Sequence, residues 1–239
     1  MATLFVSDLH IDAAHPAIAR RFLGFLSGEA ATADALYVLG DLFESWIGDD
    51  DPDPTQRQVI EALRALSSTG TPVFVMHGNR DFLLGERFAA ASGVVLVEDP
   101  VIITLYGVRV LAMHGDALCT DDRAYQRLRA TVRDPRWQRR FLALPVRARR
   151  ALAEAARAGS RAHTAALDRM IADVNPASVE TVLRRSGVDR LLHGHTHRPG
   201  VHTVEIDGRR CTRWVLGDWY DSGSVLRWDP RGPRLESLG

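Results

Sequence analysis

The stretch Arg190-Leu191-Leu192-His193-Gly194-His195-Thr196-His197 carries the reading of this chain. A short apolar run ends abruptly in a glycine set between histidines. A run of that length reads as a buried strand, and the polar residues after it as a loop at its C-terminal end. The same pattern recurs four times on the way back to the N-terminus. Residues 108–114 lead into His114-Gly115-Asp116, residues 72–77 into Gly78-Asn79-Arg80-Asp81, residues 35–40 into Gly40-Asp41-Leu42-Phe43-Glu44, and residues 3–7 into Asp8-Leu9-His10. Open α/β sheets place ligands in the crevice beyond the C-terminal ends of their strands, so five such loops can converge on one point.

Helical patterns lie between the runs. Residues 17–26 carry Ile18, Phe22, Phe25 and Leu26, and residues 55–66, opening on Thr55 as a cap, repeat Val59, Ile60, Leu63 and Leu66 at helical spacing. Strands alternating with helices argue for an α/β core. Past His197 the texture turns β-rich. Residues 201–206, 213–216 and 224–228 read as strands turned at Asp207-Gly208 and Ser222-Gly223, which predicts a second sheet.

Residues 119–175 match neither part. They are helical in texture, rich in Ala and Arg, and lack the strand–loop rhythm. Over residues 120–165 twelve arginines stand against four acidic residues, a net +8 that the rest of a formally neutral chain balances with −8. The reading is a single domain over residues 1–239, with 119–175 inserted as a helical cap over the active face. A solvated helical excursion with a basic face is the plainer alternative. The acidic run Asp49-Asp50-Asp51-Pro52-Asp53 reads as a solvated loop.

The loops carry a consistent chemistry. Carboxylate, imidazole and amide oxygen without thiolate suit Mn²⁺, Fe²⁺ or Zn²⁺ in a reactive site better than a structural zinc cage. Asp8, His10, Asp41, Asn79, His114, His195 and His197 are too many for one tetrahedral ion and enough for two that share a bridge. Asp41 is the natural bridge, because a carboxylate offers two oxygens and Gly40 before it lets the backbone turn tightly. In Asp8-x-His10 and His195-x-His197, side chains two apart point the same way if the backbone is extended. Two metal ions clamp the attacking and leaving oxygens of an in-line displacement, so the residues themselves point to hydrolysis at phosphorus. Glu44, Asp81 and Asp116 read as groups that orient the ligands.

With its five motifs the chain resembles the calcineurin-like metallophosphoesterase superfamily. That resemblance implies a two-sheet αββα sandwich and assigns metal binding to the same seven residues. The third motif departs from the usual Gly-Asn-His: Arg80 stands after Asn79. An arginine cannot act as a general acid at neutral pH, but it grips phosphate with a charge-assisted fork. Together with Ser7-Asp8-Leu9-His10, Ala172-Asp173-Val174-Asn175 and His193-Gly194-His195-Thr196-His197-Arg198-Pro199, it narrows the resemblance to the UDP-2,3-diacylglucosamine hydrolase family of lipid A synthesis.

The narrower resemblance implies water attack on the α-phosphorus of a UDP-linked diacyl glucosamine lipid, giving UMP and 2,3-diacylglucosamine 1-phosphate. It further implies two Mn²⁺ per chain and peripheral attachment to the cytoplasmic face of the inner membrane. Asp41, Asn79, Arg80 and His195 match the family's catalytic positions. Asn79, Arg80, Asp122, Ser160, Thr164 and His195 match its substrate contacts. Leu167 stands where relatives carry lysine, with Arg161 and Arg169 as the available substitutes.

Bulk composition excludes little. There is no lysine, so any anion site uses arginine. Cys119 and Cys211 show no CxxC spacing, which argues against a disulfide framework or structural zinc. The N-terminus lacks a basic n-region and reads as a strand rather than a signal peptide, and no stretch reaches the roughly 18 apolar residues of a membrane span. In the insert, Arg133, Arg136, Arg139, Arg140, Arg147, Arg149 and Arg150 interleave with Trp137, Phe141, Leu142, Leu144 and Val146. That texture suits an anionic membrane surface, a channel for acyl chains, or plain packing onto the core. The competing function is a metal-dependent nuclease or cyclic-nucleotide phosphodiesterase, with the basic insert following a nucleic-acid backbone. Against it, Arg80 replaces the expected histidine, and no nucleic acid is expected as a partner. A non-catalytic membrane-surface protein is the third reading.

Overall fold

Alternation along β1 (Thr3–Val6) sets the layering. Leu4 and Val6 face one way into a core with α1 (Pro16–Ser27), while Phe5 faces the other, as the two-residue period of a strand requires. The computed structural model describes residues 1–166, 173–220 and 223–238, and of residues 160–166 the backbone alone. Parallel to β1 run β2 (Ala35–Leu39), β3 (Val73–Met76) and β4 (Val95–Val97).

A second sheet holds β5 (Val101–Leu105), β6 (Val108–Ala112), β7 (Arg190–His193), β8 (Gly200–Ile206) and β9 (Arg209–Val215), in the order β5-β6-β7-β9-β8. The last two strands, β10 (Gly223–Asp229) and β11 (Gly232–Leu238), return to the first sheet, whose order is β11-β10-β1-β2-β3-β4. The β-rich tail is thus split between both sheets, whereas the sequence pattern suggested only that it founds the second.

Three apolar clusters bind four layers. Outside the first sheet, α1, α2 (Pro54–Ser68) and α3 (Glu86–Ser92) bury Phe22, Leu63 and Phe88 against Leu36, Val38 and Val75. Between the sheets lie Phe5, Leu39, Met76, Val110 and Leu192, with Trp214 and Trp228 tilted together at 5.3 Å. Outside the second sheet, α7 (Pro176–Ser186) sets Val179 and Leu183 against Leu111 and Leu191. Each of these large apolar side chains contributes about 1.5–3 kcal/mol on burial. The result is the expected two-sheet α/β sandwich.

Two local readings are corrected. The cap of α2 is Asp53, not Thr55: Asp53 Oδ1 accepts from Gln56 N at 2.9 Å while Gln56 Oε1 accepts from Asp53 N at 2.9 Å, a reciprocal capping box. Nor is the acidic run simply solvated. Asp49 accepts from Gly85 N, Arg87 N and Phe88 N at the start of α3, and Asp50 and Asp51 pair with Arg149 and Arg150.

Residues 123–166 form α4 (Arg123–Val132), α5 (Pro135–Leu142) and α6 (Val146–Ala166). Among the described residues no helix is long and apolar enough to cross a membrane. Leu167 and Arg169, and the side chains of Ser160, Arg161 and Thr164, lie outside what is described.

Candidate metal centre

The five motif loops leave the C-terminal ends of β1, β2, β3, β6 and β7 and meet. All seven predicted ligands come together. Nε2 of His10 and Nε2 of His197 stand 3.2 Å apart, and Asp8 Oδ1 lies 3.5 Å from His197 Nε2. On the other side Asn79 Oδ1 is 2.9 Å from both His114 Nε2 and His195 Nδ1. Asp41 Oδ2 sits between the two groups, 3.7 Å from His10 Nε2 and 3.8 Å from His114 Nε2. Donor atoms of Asp8, His10 and His197 fall within 4.8 Å of one another, as do those of Asp8, Asp41 and His114.

The backbone that achieves this is not extended. Asp8, His10, Asp41, His195 and His197 all have positive φ, between 50° and 68°. The side chains at 8 and 10, and at 195 and 197, therefore converge through left-handed turns rather than through strand periodicity. Such a conformation costs a non-glycine residue about 1–3 kcal/mol and persists only where the surroundings impose it. Here Asp8 N donates to Gly40 O at 3.1 Å, His10 N to Asp41 O at 2.9 Å and His195 N to Asp8 Oδ2 at 2.8 Å. Close approach also requires glycine: a Cβ on Gly78 would lie 2.1 Å from Asp41 Oδ1, and one on Gly194 2.3 Å from Asp8 Oδ2.

Partners fix the imidazoles. His10 Nδ1 lies 3.0 Å from Glu44 Oε2, His197 Nδ1 3.1 Å from Asp218 Oδ2, and His114 Nδ1 2.9 Å from the Leu39 carbonyl. These contacts leave the Nε2 atoms facing inward. Asp81 works differently: its carboxylate accepts from Leu42 N at 2.7 Å and Gly78 N at 2.8 Å, tying the Asp41 loop to the Asn79 loop. Asp218 was not read from the sequence. It follows β9 in Leu216-Gly217-Asp218, which repeats the pattern of Leu39-Gly40-Asp41 and could have been found by it.

Electrostatics follow from this crowding. Burial pushes the His114 imidazole down, but the carboxylates of Asp41, Asp8, Asp116 and Asp99 outweigh it and lift the group to about 9. For His197, burial is likewise outweighed, here by Asp218 and Asp8, which lift it to about 10. Burial, reinforced by the charge of His114, pushes His195 down to about 4. Burial raises the Asp8 carboxyl, yet His197, His114 and His10 hold it well below the usual carboxylate range. Buried anions here call for cations. Asp8 Oδ1 is buried with no hydrogen-bond partner among the described residues, the state a metal ligand has without its ion. The donor set fits divalent cations of the O/N-preferring class.

A cavity of about 610 Å³ opens onto the centre. Its polar lining includes Asn79, Arg80, Tyr125, Arg129 and Arg133, and its apolar lining includes Leu128, Val132, Trp137, Phe141, Leu152 and Ala156. Arg80 is held loosely, with Nη1 4.0 Å from Glu44 Oε1 and Nε buried without a partner among the described residues. Asp122 stands at the start of α4, where its carboxylate accepts from Tyr125 N at 2.9 Å. Cys119 and Cys211 are free and buried, and burial pushes the Cys119 thiol up to about 12, which removes it as a nucleophile.

Comparison with known proteins agrees with this geometry. A family model described as calcineurin-like phosphoesterase matches residues 1–199. The chain is 54% identical to the UDP-2,3-diacylglucosamine hydrolase of Xanthomonas campestris pv. campestris and 51% identical to that of Stenotrophomonas maltophilia, in each case over 100% of this chain and 99% of the relative. Among solved structures, an archaeal phosphodiesterase superposes with a TM-score of 0.51 at 12% identity, covering 100% of both chains, a likeness of fold alone. Five loops that gather these donors at the strand ends, and relatives that match from end to end, leave one assignment: the chain belongs to the calcineurin-like phosphoesterases and, among them, to the family of UDP-2,3-diacylglucosamine hydrolases.

Proposed function

We propose that the chain hydrolyses the pyrophosphate of UDP-2,3-diacylglucosamine, releasing UMP and 2,3-diacylglucosamine 1-phosphate in lipid A synthesis, with two Mn²⁺ as cofactor. The observation that carries this reading is the cavity: it joins the donor cluster at Asn79 and Arg80 to a wall of Leu128, Val132, Trp137, Phe141 and Leu152. That combination matches an amphiphile whose anionic centre and acyl chains must be bound together.

In this reading Asp8, His10, Asp41, Asn79, His114, His195 and His197 are the residues that would hold the two ions. Such a pair, when bound, lowers the pKa of water toward roughly 7 and clamps the attacking and leaving oxygens of an in-line displacement at phosphorus. The chain's own residues do the rest. Arg80 offers an unpaired Nε to a phosphate oxygen of the substrate. Glu44 and Asp218 keep the imidazoles of His10 and His197 oriented. Asp122, Ser160 and Thr164 supply the further substrate contacts that the family resemblance implies, and Asp122 also caps α4.

Residues 119–175 are proposed as a cap that delivers the lipid from a membrane surface. Leu128, Leu144 and Leu152 line the cavity and are also 54%, 38% and 51% exposed, so they mark its mouth. Exposed Arg136 and Arg139 stand on α5 and exposed Arg147 on α6, so the cap combines exposed leucines with exposed cations, the pairing that favours an anionic leaflet. Arg133, Arg149 and Arg150 are withdrawn from that role, because they bond to Gly78 O, Asp50 and Asp51. The cytoplasmic face of the inner membrane is the site this proposal implies.

The test is direct. With Mn²⁺, the purified full chain should release UMP from the diacylated substrate at least tenfold faster than from a UDP-sugar without acyl chains. Equal rates on both, or activity confined to simple phosphodiesters, would reject the lipid assignment and favour the phosphodiesterase alternative.

A further inference from the structure

We propose that one face of α4 sets the geometry of the Asn79–His114–His195 half of the centre and has no part in the other half. This rests on the reading that the seven donors hold two cations. Tyr125 and Arg129 of α4 and Arg133, the residue that caps its C-terminus in helical conformation, follow one another at intervals of four residues, so they lie along one helix face.

Each touches a neighbour of one of these donors, or the donor itself. Asp116 stands one glycine beyond His114. Its Oδ2 accepts from Tyr125 Oη at 2.7 Å and from Arg129 Nε at 2.8 Å, while Gln126 Nε2 donates to its carbonyl at 2.8 Å. The same guanidinium reaches Asp99 Oδ2 at 3.4 Å, and Asp99 Oδ1 accepts from His114 N at 3.1 Å. Arg129 thus spans the two carboxylates that flank His114. Arg133 Nη2 donates at 2.8 Å to the carbonyl of Gly78, the residue before Asn79. The Tyr125 ring lies over His195, with centroids 6.0 Å apart and planes at 27°.

Among the described residues, the contacts that set the other half come from outside α4. His10 is set by Glu44, His197 by Asp218, and Asp8 by Ser7 Oγ at 2.5 Å. Tyr125, Arg129 and Arg133 also line the cavity. One helix therefore touches both the wall of the substrate site and the supports of three donors, which makes Arg129 and Arg133 positioning residues for the reaction.

The sign of one measurement separates positioning from charge. Arg129 is a cation beside a cation site. If it acted through charge alone, removing it would tighten Mn²⁺ binding. If it positions His114, removing it weakens binding in one half only. The experiment is Mn²⁺ titration of the metal-stripped full chain, read by calorimetry and by electron paramagnetic resonance, which distinguishes a coupled pair of ions from an isolated one. Arg129→Gln is expected to weaken one of two binding events by about 10–100-fold, the range for loss of a ligand's supporting partner, and to leave the other unchanged. Arg129→Lys, which keeps the charge but cannot fork between two carboxylates, should fall between.

Asp218→Asn serves as the converse marker, weakening the event that Arg129→Gln spares. Tyr125→Phe removes a single O–H from the same network, so it carries the test if Arg129→Gln does not fold. A parent chain that binds fewer than two Mn²⁺ defeats the two-ion reading itself. A parent that binds two, with Arg129→Gln or Tyr125→Phe weakening both events equally or tightening either, leaves that reading intact and overturns this inference.

Discussion

Arg149, at 2% exposure, pairs with Asp50 through both of its terminal nitrogens. It also donates from Nη1 to the Ile47 carbonyl at 2.6 Å and from Nε to the Leu144 carbonyl at 3.1 Å. Residues Ile47 and Leu144 both line the cavity, so this one side chain fastens α6 to the opposite wall. Gly48 is required for it, since a Cβ there would lie 2.3 Å from Arg149 Nη1. Asp50→Ala should destabilise the chain by about 1.5–3 kcal/mol, the worth of hydrogen bonds to a charged group. Asp51→Ala, which breaks the exposed pair with Arg150, should cost about 0–1 kcal/mol. Denaturant midpoints of the two variants check the contrast, and equal losses would contradict the latch.

Arg80 carries a second prediction. Its buried Nε has no partner among the described residues, and its contact with Glu44 is long at 4.0 Å. A side chain held this loosely keeps its hydrogen bonds for a ligand. Arg80→Ala should lower kcat/KM by about 10–100-fold, the equivalent of one or two charge-assisted bonds. Mn²⁺ affinity should stay at the parent value, because Arg80 is not among the donors. A variant that loses metal instead would assign Arg80 to the architecture of the centre.

The apolar end of the cavity is tested by filling it. Ala156 lines it from α6, opposite Trp137 and Phe141 on α5. Ala156→Trp should raise KM for the diacylated substrate while leaving hydrolysis of a water-soluble phosphodiester unchanged. An equal loss on both substrates would show that the helices support the centre rather than the lipid.

The centre was legible because its chemistry is local. Each ligand follows a buried strand within a few residues, and burial on both faces leaves those strands as continuous apolar runs. The rest was hidden for physical reasons. β11 reads Gly232-Pro233-Arg234-Leu235-Glu236-Ser237-Leu238, a mixture of charge and proline that belongs to a sheet edge. β4 has only three residues, and Val95 in it is 52% exposed.

In the sequence Arg129 and Arg133 are simply two of the twelve arginines over residues 120–165, because a guanidinium carries no mark there that it will meet Asp116 or a carbonyl of a distant loop. The acidic run at 49–53 misled in the same way: its carboxylates are spent on helix starts and on arginines about a hundred residues away. Local patterns reveal what a segment is, whereas these pairings exist only once the layers have packed.

The last prediction concerns pH. In the metal-free chain the folded-state values of His114 and His197 stand at about 9 and about 10, and His10 is also raised above the ordinary value. In each case the neighbouring carboxylates overcome the opposing effect of burial. A histidine whose folded value lies above its unfolded one stabilises the fold while protonated. That contribution is complete below the unfolded value of 6.5 and is lost as pH rises through about 9 to 10. The metal-stripped chain should therefore unfold at a lower urea concentration at pH 9.5 than at pH 6.5. Cations compete with the same protons, so Mn²⁺ binding at pH 7 should release protons into a weak buffer, and its affinity should climb across the window. The loaded chain, its histidines already deprotonated by the metal, should show the smaller change in urea midpoint. A metal-stripped chain that gains stability over this range, or Mn²⁺ uptake without proton release, would mean that the carboxylates do not hold these imidazoles charged.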